Sequence, residues 1–144
     1  MIAACSSRCK VVTIKMFKFK KEERLCSKKL LDELFRNGSS FLLYPFRVVH
    51  LPVADPVNLA QVVVGVSKRK FKRSVDRNLL KRRIREAYRL NKEDLLYSFL
   101  QDNSLQVIFA IHFIGKEIAD YQFIEKKLKL ALVQLTKAYV KKAV

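Results

Sequence analysis

The stretch VSKRKFKRSVDRNLLKRRIREAYRLN, residues 66 to 91, is the most basic and most regularly patterned part of this 144-residue chain. Between Lys68 and Arg89 it holds eleven Lys or Arg residues against two acids, Asp76 and Glu86, which leaves a local net charge of +9. The whole chain carries +17. About half of the excess positive charge is therefore concentrated in this one stretch.

The pattern changes within the stretch. Residues 68 to 73 form a predicted basic loop, and from Val75 onward the apolar spacing predicts a helix, because a helix turns by about 100° per residue. Ser74 is the predicted N-cap, and Asp76 suits the positive end of a helix. One side of the helix is a predicted core stripe of Leu80, Ile84, Ala87 and Tyr88. The adjoining face carries Arg77, Asn78, Lys81, Arg82, Arg85 and Arg89.

This adjoining face has two interpretations. Like charges four residues apart weaken an isolated helix, so the row needs an external reason. A solvated charged face is one reading, but such faces usually mix both signs. The excess of one sign favours a polyanion site, where Arg and Lys meet phosphates and Asn78 adds polar contacts.

Three spaced pairs follow the β-rich run that ends in Gly65-Val66-Ser67: Arg77-Asn78, Lys81-Arg82 and Arg85-Glu86. This arrangement resembles the bacterial ribonuclease P protein subunit, whose helix carries an Arg-Asn-Arg core followed by Lys-Arg and then Arg-Glu or Arg-Gln. The order of elements over about residues 22 to 140 fits as well. The third residue of the core is Leu79 here, which departs from the family at a position of RNA contact.

The resemblance implies an RNA-binding subunit of an endoribonuclease whose RNA is catalytic and holds most of the Mg²⁺. The ribonucleoprotein would remove the 5′ leader of precursor tRNA, with the basic helix on the catalytic RNA and the leader in a cleft beside the first helix. Phe35 aligns with a family aromatic near that cleft. Phe46 would be a second stacking platform on an open sheet face, or a core residue. The implied RNA-binding residues are Lys68, Arg69, Lys70, Lys72, Arg73, Arg77, Asn78, Lys81, Arg82, Arg85 and Arg89.

The rest of the chain predicts an α+β sandwich with the order α-β-β-β-α-β-α and a small mixed sheet of about four strands. The predicted helices outside the basic stretch cover residues 28–37, capped by Ser27 and Gly38, and 117–142, with Ile118 in its apolar stripe. Strands are predicted within 39–53, broken at Tyr44-Pro45, and over 59–67 and 105–114. Residues 52–58 are a predicted turn, and 91–104 a helix tail and loop. The resemblance adds a ribosomal-protein-like fold with a left-handed β-α-β crossover.

Length and composition predict one domain with one core, since half of the residues are hydrophobic. We interpret residues 1–15 as an extension that is not native and residues 16–144 as the domain. The reason is that the sequence from Met16 onward reads like the natural start of a protein. Cys5, Cys9 and Cys26 are an odd number bunched near the N-terminus, which favours a reduced, cytoplasmic protein. No apolar run approaches the ~20 residues of a membrane span, and neither a membrane nor an obligate protein partner is indicated.

Sets of catalytic residues do not emerge from the sequence. His50 and His112 stand alone on predicted strands, without a Cys, Ser or carboxylate partner in a recognisable pattern. No Asp/Glu cluster suits paired Mg²⁺ ions, and no protein metal site is predicted. Two classes therefore compete with the ribonuclease P subunit: a structural ribosomal-type RNA-binding protein, and a protein enzyme that acts on RNA.

Overall fold

The computed structural model describes residues 19–53 and 59–143. A 3₁₀ turn at Lys21–Glu23 comes first. The helices are α1 (Lys28–Asn37), α2 (Ser74–Lys92), α3 (Ser98–Asp102) and α4 (Tyr121–Ala143), and the strands are β1 (Ser39–Leu43), β2 (Phe46–Pro52), β3 (Ala60–Val66) and β4 (Val107–Phe113). The mixed α+β class and the predicted order of the main elements are confirmed.

The four strands form one mixed sheet in the order β1-β2-β4-β3. Strands β1 and β2, and β2 and β4, are antiparallel, whereas β3 and β4 are parallel and are joined through α2. The outer edge of β3 is partly covered by the N-terminal segment, because the Leu25 amide donates to the Val62 carbonyl at 3.0 Å. The left-handed crossover through α2 stays a prediction.

The sheet separates two apolar layers. On one face, residues such as Val48, Val62 and Phe109 pack in a cluster with buried side chains of α2 and α4. On the other face a smaller cluster joins Leu34 of α1 to Ile108 and neighbouring strand residues. Strand β4 lies at the centre and is buried on both faces, which explains its nearly continuous apolar sequence.

Helix α1 begins after Ser27 and ends at Gly38, as predicted. The Ser27 side chain makes no cap hydrogen bond, so only its position at the start of the helix is confirmed. Gly38 has an extended backbone, with φ −71° and ψ 148°, and its amide donates to the Leu34 carbonyl. Glycine is needed there because a Cβ would collide with that same carbonyl oxygen.

Helix α2 begins one residue earlier than predicted, with Arg73 rather than Ser74 at the N-cap. Residues 91–104 are predicted as a helix tail and loop, and the helical part of this segment is longer than that prediction implies. The chain stays helical through a π-helical turn at Glu93–Tyr97 and through α3. The polar residues at both ends of this segment obscured its apolar side, where Leu96 and Leu100 are fully buried against the core.

Helix α4 begins at Tyr121, four residues later than predicted. The Asp120 carbonyl accepts the hydrogen bond of the Ile124 amide and so opens the first turn. Ile118 therefore precedes the helix and is 43% exposed, which corrects its assignment to the core stripe. The interpretation of residues 1–15 as an extension and most of the predicted turn at 52–58 lie outside the described residues.

Candidate nucleic-acid interface

Helix α2 has one buried side and one basic side. All four residues of the predicted core stripe are buried: Leu80, Ile84, Ala87 and Tyr88. Asn78, Arg82 and Arg85 are exposed, and Arg77, Lys81 and Arg89 are half-buried. Burial of the apolar stripe orients the helix, and this orientation presents the cations along one flank.

Few acids offset these cations. Glu86 pairs with Arg89, with the Arg89 Nε to Glu86 Oε2 distance at 3.0 Å, and this contact holds the pKa of the Glu86 carboxyl below its usual value. Within residues 19–53 and 59–143, no acid lies at salt-bridge distance from Arg77, Arg82 or Arg85. The flank therefore keeps an uncompensated positive charge that an external polyanion can neutralise.

The loop before α2 continues the same surface. Its five cations are exposed: Lys68, Arg69, Lys70, Lys72 and Arg73. Phe71 is buried among them, 6% exposed, and its ring lies 5.9 Å from that of Phe113. Lys70 Nζ donates to the Ile114 carbonyl, and Arg77 reaches the Phe71 carbonyl. Phe71 thus anchors the loop in the core, while the five loop cations lie at the surface. We call the following residues together the basic surface: the five loop cations, Asn78, and the α2 cations Arg77, Lys81, Arg82, Arg85 and Arg89.

A groove lies on the opposite face of the sheet, beside α1. Arg47 of β2, His112 of β4 and Gly65 of β3 are neighbours across the strands. The ring of Phe35 from α1, 53% exposed, lies 5.7 Å from the His112 ring. The groove has a volume of about 490 Å³, and its lining includes Phe35, Arg47, Val49, Gly65, Ser67 and His112. It offers an aromatic ring, a cation and an imidazole within one concave surface.

Gly65 is required by the close approach of His112. A Cβ at Gly65 would lie 2.8 Å from His112 Nδ1, so any larger residue would displace the imidazole. Burial lowers the pKa of His112, and the positive charge of Arg47 lowers it further. A neutral imidazole can donate one hydrogen bond and accept another, which suits contact with a nucleobase edge.

Phe46 does not line this groove. Its side chain is fully buried on the helical face of the sheet, where it packs against Phe113 at 6.0 Å. The predicted alternation along β2 is correct, but the face that stays accessible is that of Arg47 rather than that of Phe46. Phe46 is therefore a core residue, and its assignment as a stacking platform is corrected.

Sequence reasoning missed Arg47 and His112 as groove residues. Their strands are distant along the chain, and no local motif marks either residue. The available signal is the alternation along β2, which places Arg47 and Phe46 on opposite faces of the sheet. Among the described residues, no group of three or more His, Cys, Asp or Glu side chains could hold a metal ion. Nor does any described helix have the length and apolar character needed to cross a membrane.

The protein is thus an α+β sandwich that carries a basic helix on one side of its sheet and a groove with an exposed aromatic ring on the other. The family model for ribonuclease P matches residues 19–136. A ribonuclease P protein component from Porphyromonas gingivalis is 35% identical over 120 residues, which cover 83% of this chain and 87% of that protein. The chain belongs to the ribonuclease P protein family, and is thus an RNA-binding component of that ribonucleoprotein.

Solved structures agree with the fold. The ribonuclease P protein of Staphylococcus aureus aligns with a TM-score of 0.62 at 18% identity, covering 80% of this chain and 95% of that one. The protein from Thermotoga maritima also gives a TM-score of 0.62, at 21% identity, covering 78% and 96%. The expected mixed α+β architecture with a four-stranded sheet is therefore confirmed by similarity to the solved structures of ribonuclease P proteins.

Proposed function

We propose that the basic surface binds the catalytic RNA of ribonuclease P and that the groove holds the single-stranded 5′ leader of precursor tRNA. In this function the protein assists removal of the leader, which produces the mature 5′ end of the tRNA. The observation that carries the proposal is the row of Arg77, Arg82 and Arg85 on α2, which have no acid at salt-bridge distance in the described part of the chain and lie beside a fully buried apolar stripe.

The two surfaces have different roles. Arginines on α2 are suited to phosphate oxygens, because a guanidinium can donate two parallel hydrogen bonds to one phosphate. The groove is suited to unpaired bases, because Phe35 provides an exposed ring and stacking tolerates any base. Since mature tRNA lacks the leader, contacts in the groove favour substrate over product.

The bond-breaking step belongs, in this proposal, to the RNA component, which also holds most of the Mg²⁺. That ion supplies charge neutralisation and activation of water when bound. The protein residues contribute positive charge that reduces repulsion between two RNAs, and position the leader. We propose that the protein acts in the cytoplasm.

A reconstitution assay tests the proposal. Purified protein is added to catalytic RNA and precursor tRNA at low Mg²⁺, and each component is also tested alone. We expect the protein to stimulate 5′ processing by the RNA. Absence of stimulation with RNA binding intact would favour the structural RNA-binding protein instead, and cleavage by the protein alone would favour a protein enzyme.

The Arg82→Ala variant tests the assignment of the basic surface. Arg82 is exposed, and its loss should weaken binding to the catalytic RNA by about 1 kcal/mol or more, the scale of a charge-assisted hydrogen bond. Arg77→Ala should act in the same direction. The matched control is Lys29→Ala, an exposed cation on α1. Unchanged affinity in both arginine variants would show that the RNA-binding face is assigned to the wrong residues.

A further inference from the structure

A second basic site lies where the N-terminal segment meets the middle of α2. It is a pocket of about 580 Å³, lined by Phe19 and Arg24 from the N-terminal segment, by Tyr121 from α4, and by Glu86 and four arginines of α2. Those four are Arg82, Arg83, Arg85 and Arg89. This arginine pocket extends the basic surface beyond the helix, onto a part of the chain that no motif marks.

Its charges are only partly satisfied within the protein. Arg89 pairs with Glu86, and Arg83 Nη1 donates to the Ala119 carbonyl ahead of α4. For Arg24, Arg82 and Arg85, the described part of the chain offers no acid at salt-bridge distance. Three guanidinium groups around one pocket repel each other, so the arrangement is best neutralised by an anion from outside.

Tyr121 adds an independent observation. Tyr121 lines the pocket, and its buried hydroxyl oxygen has no hydrogen-bond partner among residues 19–53 and 59–143. A buried hydroxyl without a partner costs free energy. A ligand oxygen placed between the guanidinium groups and this hydroxyl would remove that cost.

The backbone explains how Arg24 comes to the pocket. Arg24 is extended, with φ −89° and ψ 131°, so neighbouring side chains point to opposite sides. Leu25 packs into the apolar cluster on the α1 face of the sheet. Arg24 therefore projects toward α2, where its guanidinium lies 5.5 Å from the centre of the Phe19 ring.

A buried polar cluster fixes this segment. Lys92, 2% exposed at the end of α2, donates to Glu23 Oε1, and the Tyr97 hydroxyl donates to the same oxygen. Glu23 Oε2 accepts the Lys20 amide at 2.7 Å. Phe19 packs edge-on against Tyr88 at 5.6 Å. The residue directly before Arg24 is thus tied to the same helix that carries the other pocket arginines.

We propose that the arginine pocket binds a backbone phosphate of the catalytic RNA, with Arg24 as an additional RNA-binding residue and Glu23 as its positioning residue through the ion pair with Lys92. This inference rests on the proposed function. The N-terminal segment then forms part of the RNA interface. The buried cluster of Glu23, Lys92 and Tyr97 holds this segment against α2, so that two distant parts of the chain form one phosphate site.

The first test is Arg24→Ala, measured by affinity for catalytic RNA at several salt concentrations. We expect about tenfold weaker binding, the scale of a hydrogen bond to a charged group. The slope of log Kd against log salt should fall by ~0.7 to 0.9, as for one lost phosphate contact. Lys29→Ala removes the same charge from α1 and should change affinity by no more than about twofold. Equal effects of the two variants would overturn the proposal.

The second test is Glu23→Gln. This variant separates the positioning of Arg24 by Glu23 from the effect of the negative charge of Glu23 on RNA binding. The substitution removes a negative charge, so simple electrostatics predicts tighter RNA binding. Positioning predicts weaker binding, because Arg24 is released. In a double-mutant cycle, Glu23→Gln should have little effect once Arg24 is alanine. Tighter binding, or full additivity, would show that Glu23 does not position Arg24; if this variant does not fold, Arg24→Ala alone decides.

The two proposals fail in distinguishable ways. If Arg77→Ala and Arg82→Ala leave RNA affinity unchanged, the basic surface itself is misassigned. If those variants weaken binding while Arg24→Ala behaves like Lys29→Ala, only the arginine pocket is refuted. If Arg24→Ala weakens binding to precursor tRNA but not to catalytic RNA, the pocket binds phosphate from the other RNA, and our choice of partner is wrong.

Discussion

Three residues that are distant along the chain meet in the groove: Phe35, Arg47 and His112. They come from α1, β2 and β4, and their side chains share one concave surface beside Gly65. Only a residue without a Cβ leaves the imidazole in its place. Phe35 presents an exposed aromatic ring to the groove, and the proposed contact of this ring with the leader can be tested directly.

Phe35→Ala should weaken binding of precursor tRNA to the reconstituted ribonucleoprotein by about 1 kcal/mol or more, the scale of one stacked base. Affinity for mature tRNA should not change, because mature tRNA has no leader. The control is Leu42→Ala, an apolar residue of β1 that is 64% exposed and lies outside the groove. Equal losses for precursor and mature tRNA would contradict a leader contact.

Helix α2 places two adjacent leucines, Leu79 and Leu80, in opposite environments. Leu80 is fully buried beneath α2, whereas Leu79 is 37% exposed beside the basic surface. Leu80→Ala should lower the free energy of unfolding by about 2 to 5 kcal/mol, because it leaves a cavity. Leu79→Ala should change it by about 0.5 kcal/mol or less. Denaturant titrations of the two variants measure the contrast, and similar losses would mean that the helix is rotated from its described orientation.

The ion pair between Glu23 and Lys92 links two elements and predicts a response to acid. Burial alone would raise the pKa of Glu23, but hydrogen bonds from Lys92, Tyr97 and the Lys20 amide hold it below its ordinary value of 4.5. The folded state therefore binds fewer protons than the unfolded state in this range. The contribution of ionised Glu23 to folding stability is therefore complete above about pH 4.5. It is lost as the pH falls through the lower pKa that Glu23 has in the folded state.

Glu23→Gln should accordingly lower the free energy of unfolding at neutral pH by about 3 kcal/mol, because it removes the carboxylate that pairs with the buried Lys92 ammonium. The difference from the unmodified protein should shrink below about pH 4.5. Glu22→Gln, at an exposed neighbouring position, provides the control and should show neither effect. A difference that stays constant down to low pH would exclude the ion pair as its source.

The whole molecule carries a net charge of +17, and this charge is arranged on an apolar framework rather than spread evenly. We expect affinity for catalytic RNA to fall by ~10³-fold or more between 50 and 200 mM salt, as for six or more phosphate contacts. Filter binding or fluorescence anisotropy over that range measures the slope. A shallow slope would mean that few of the cations contact phosphates.

The sequence by itself determined the main elements, the charge of α2 and its buried stripe. These depend on periodicity, and the 3.6-residue repeat of a helix separates Leu80 and Ile84 from Arg82 and Arg85 whatever the surroundings. The same local patterns failed where the ends of elements depend on packing. The helical turns after Lys92 bury Leu96 and Leu100 against the core, and α4 begins where the Ile124 amide donates to the Asp120 carbonyl. Local helix propensity specifies neither boundary.

Only the tertiary structure decided which face of the sheet remains accessible and which distant residues share a site. Alternation places Phe46 opposite Arg47, but it does not say which face the helices cover; once α2 and α4 cover one face, Phe46 is buried and Arg47 lines the groove. Arg24 likewise reaches the arginines of α2 only because the β3 edge and the Glu23–Lys92 pair bring two remote segments together. Such neighbours follow from strand pairing and burial over the whole chain, which local sequence cannot specify.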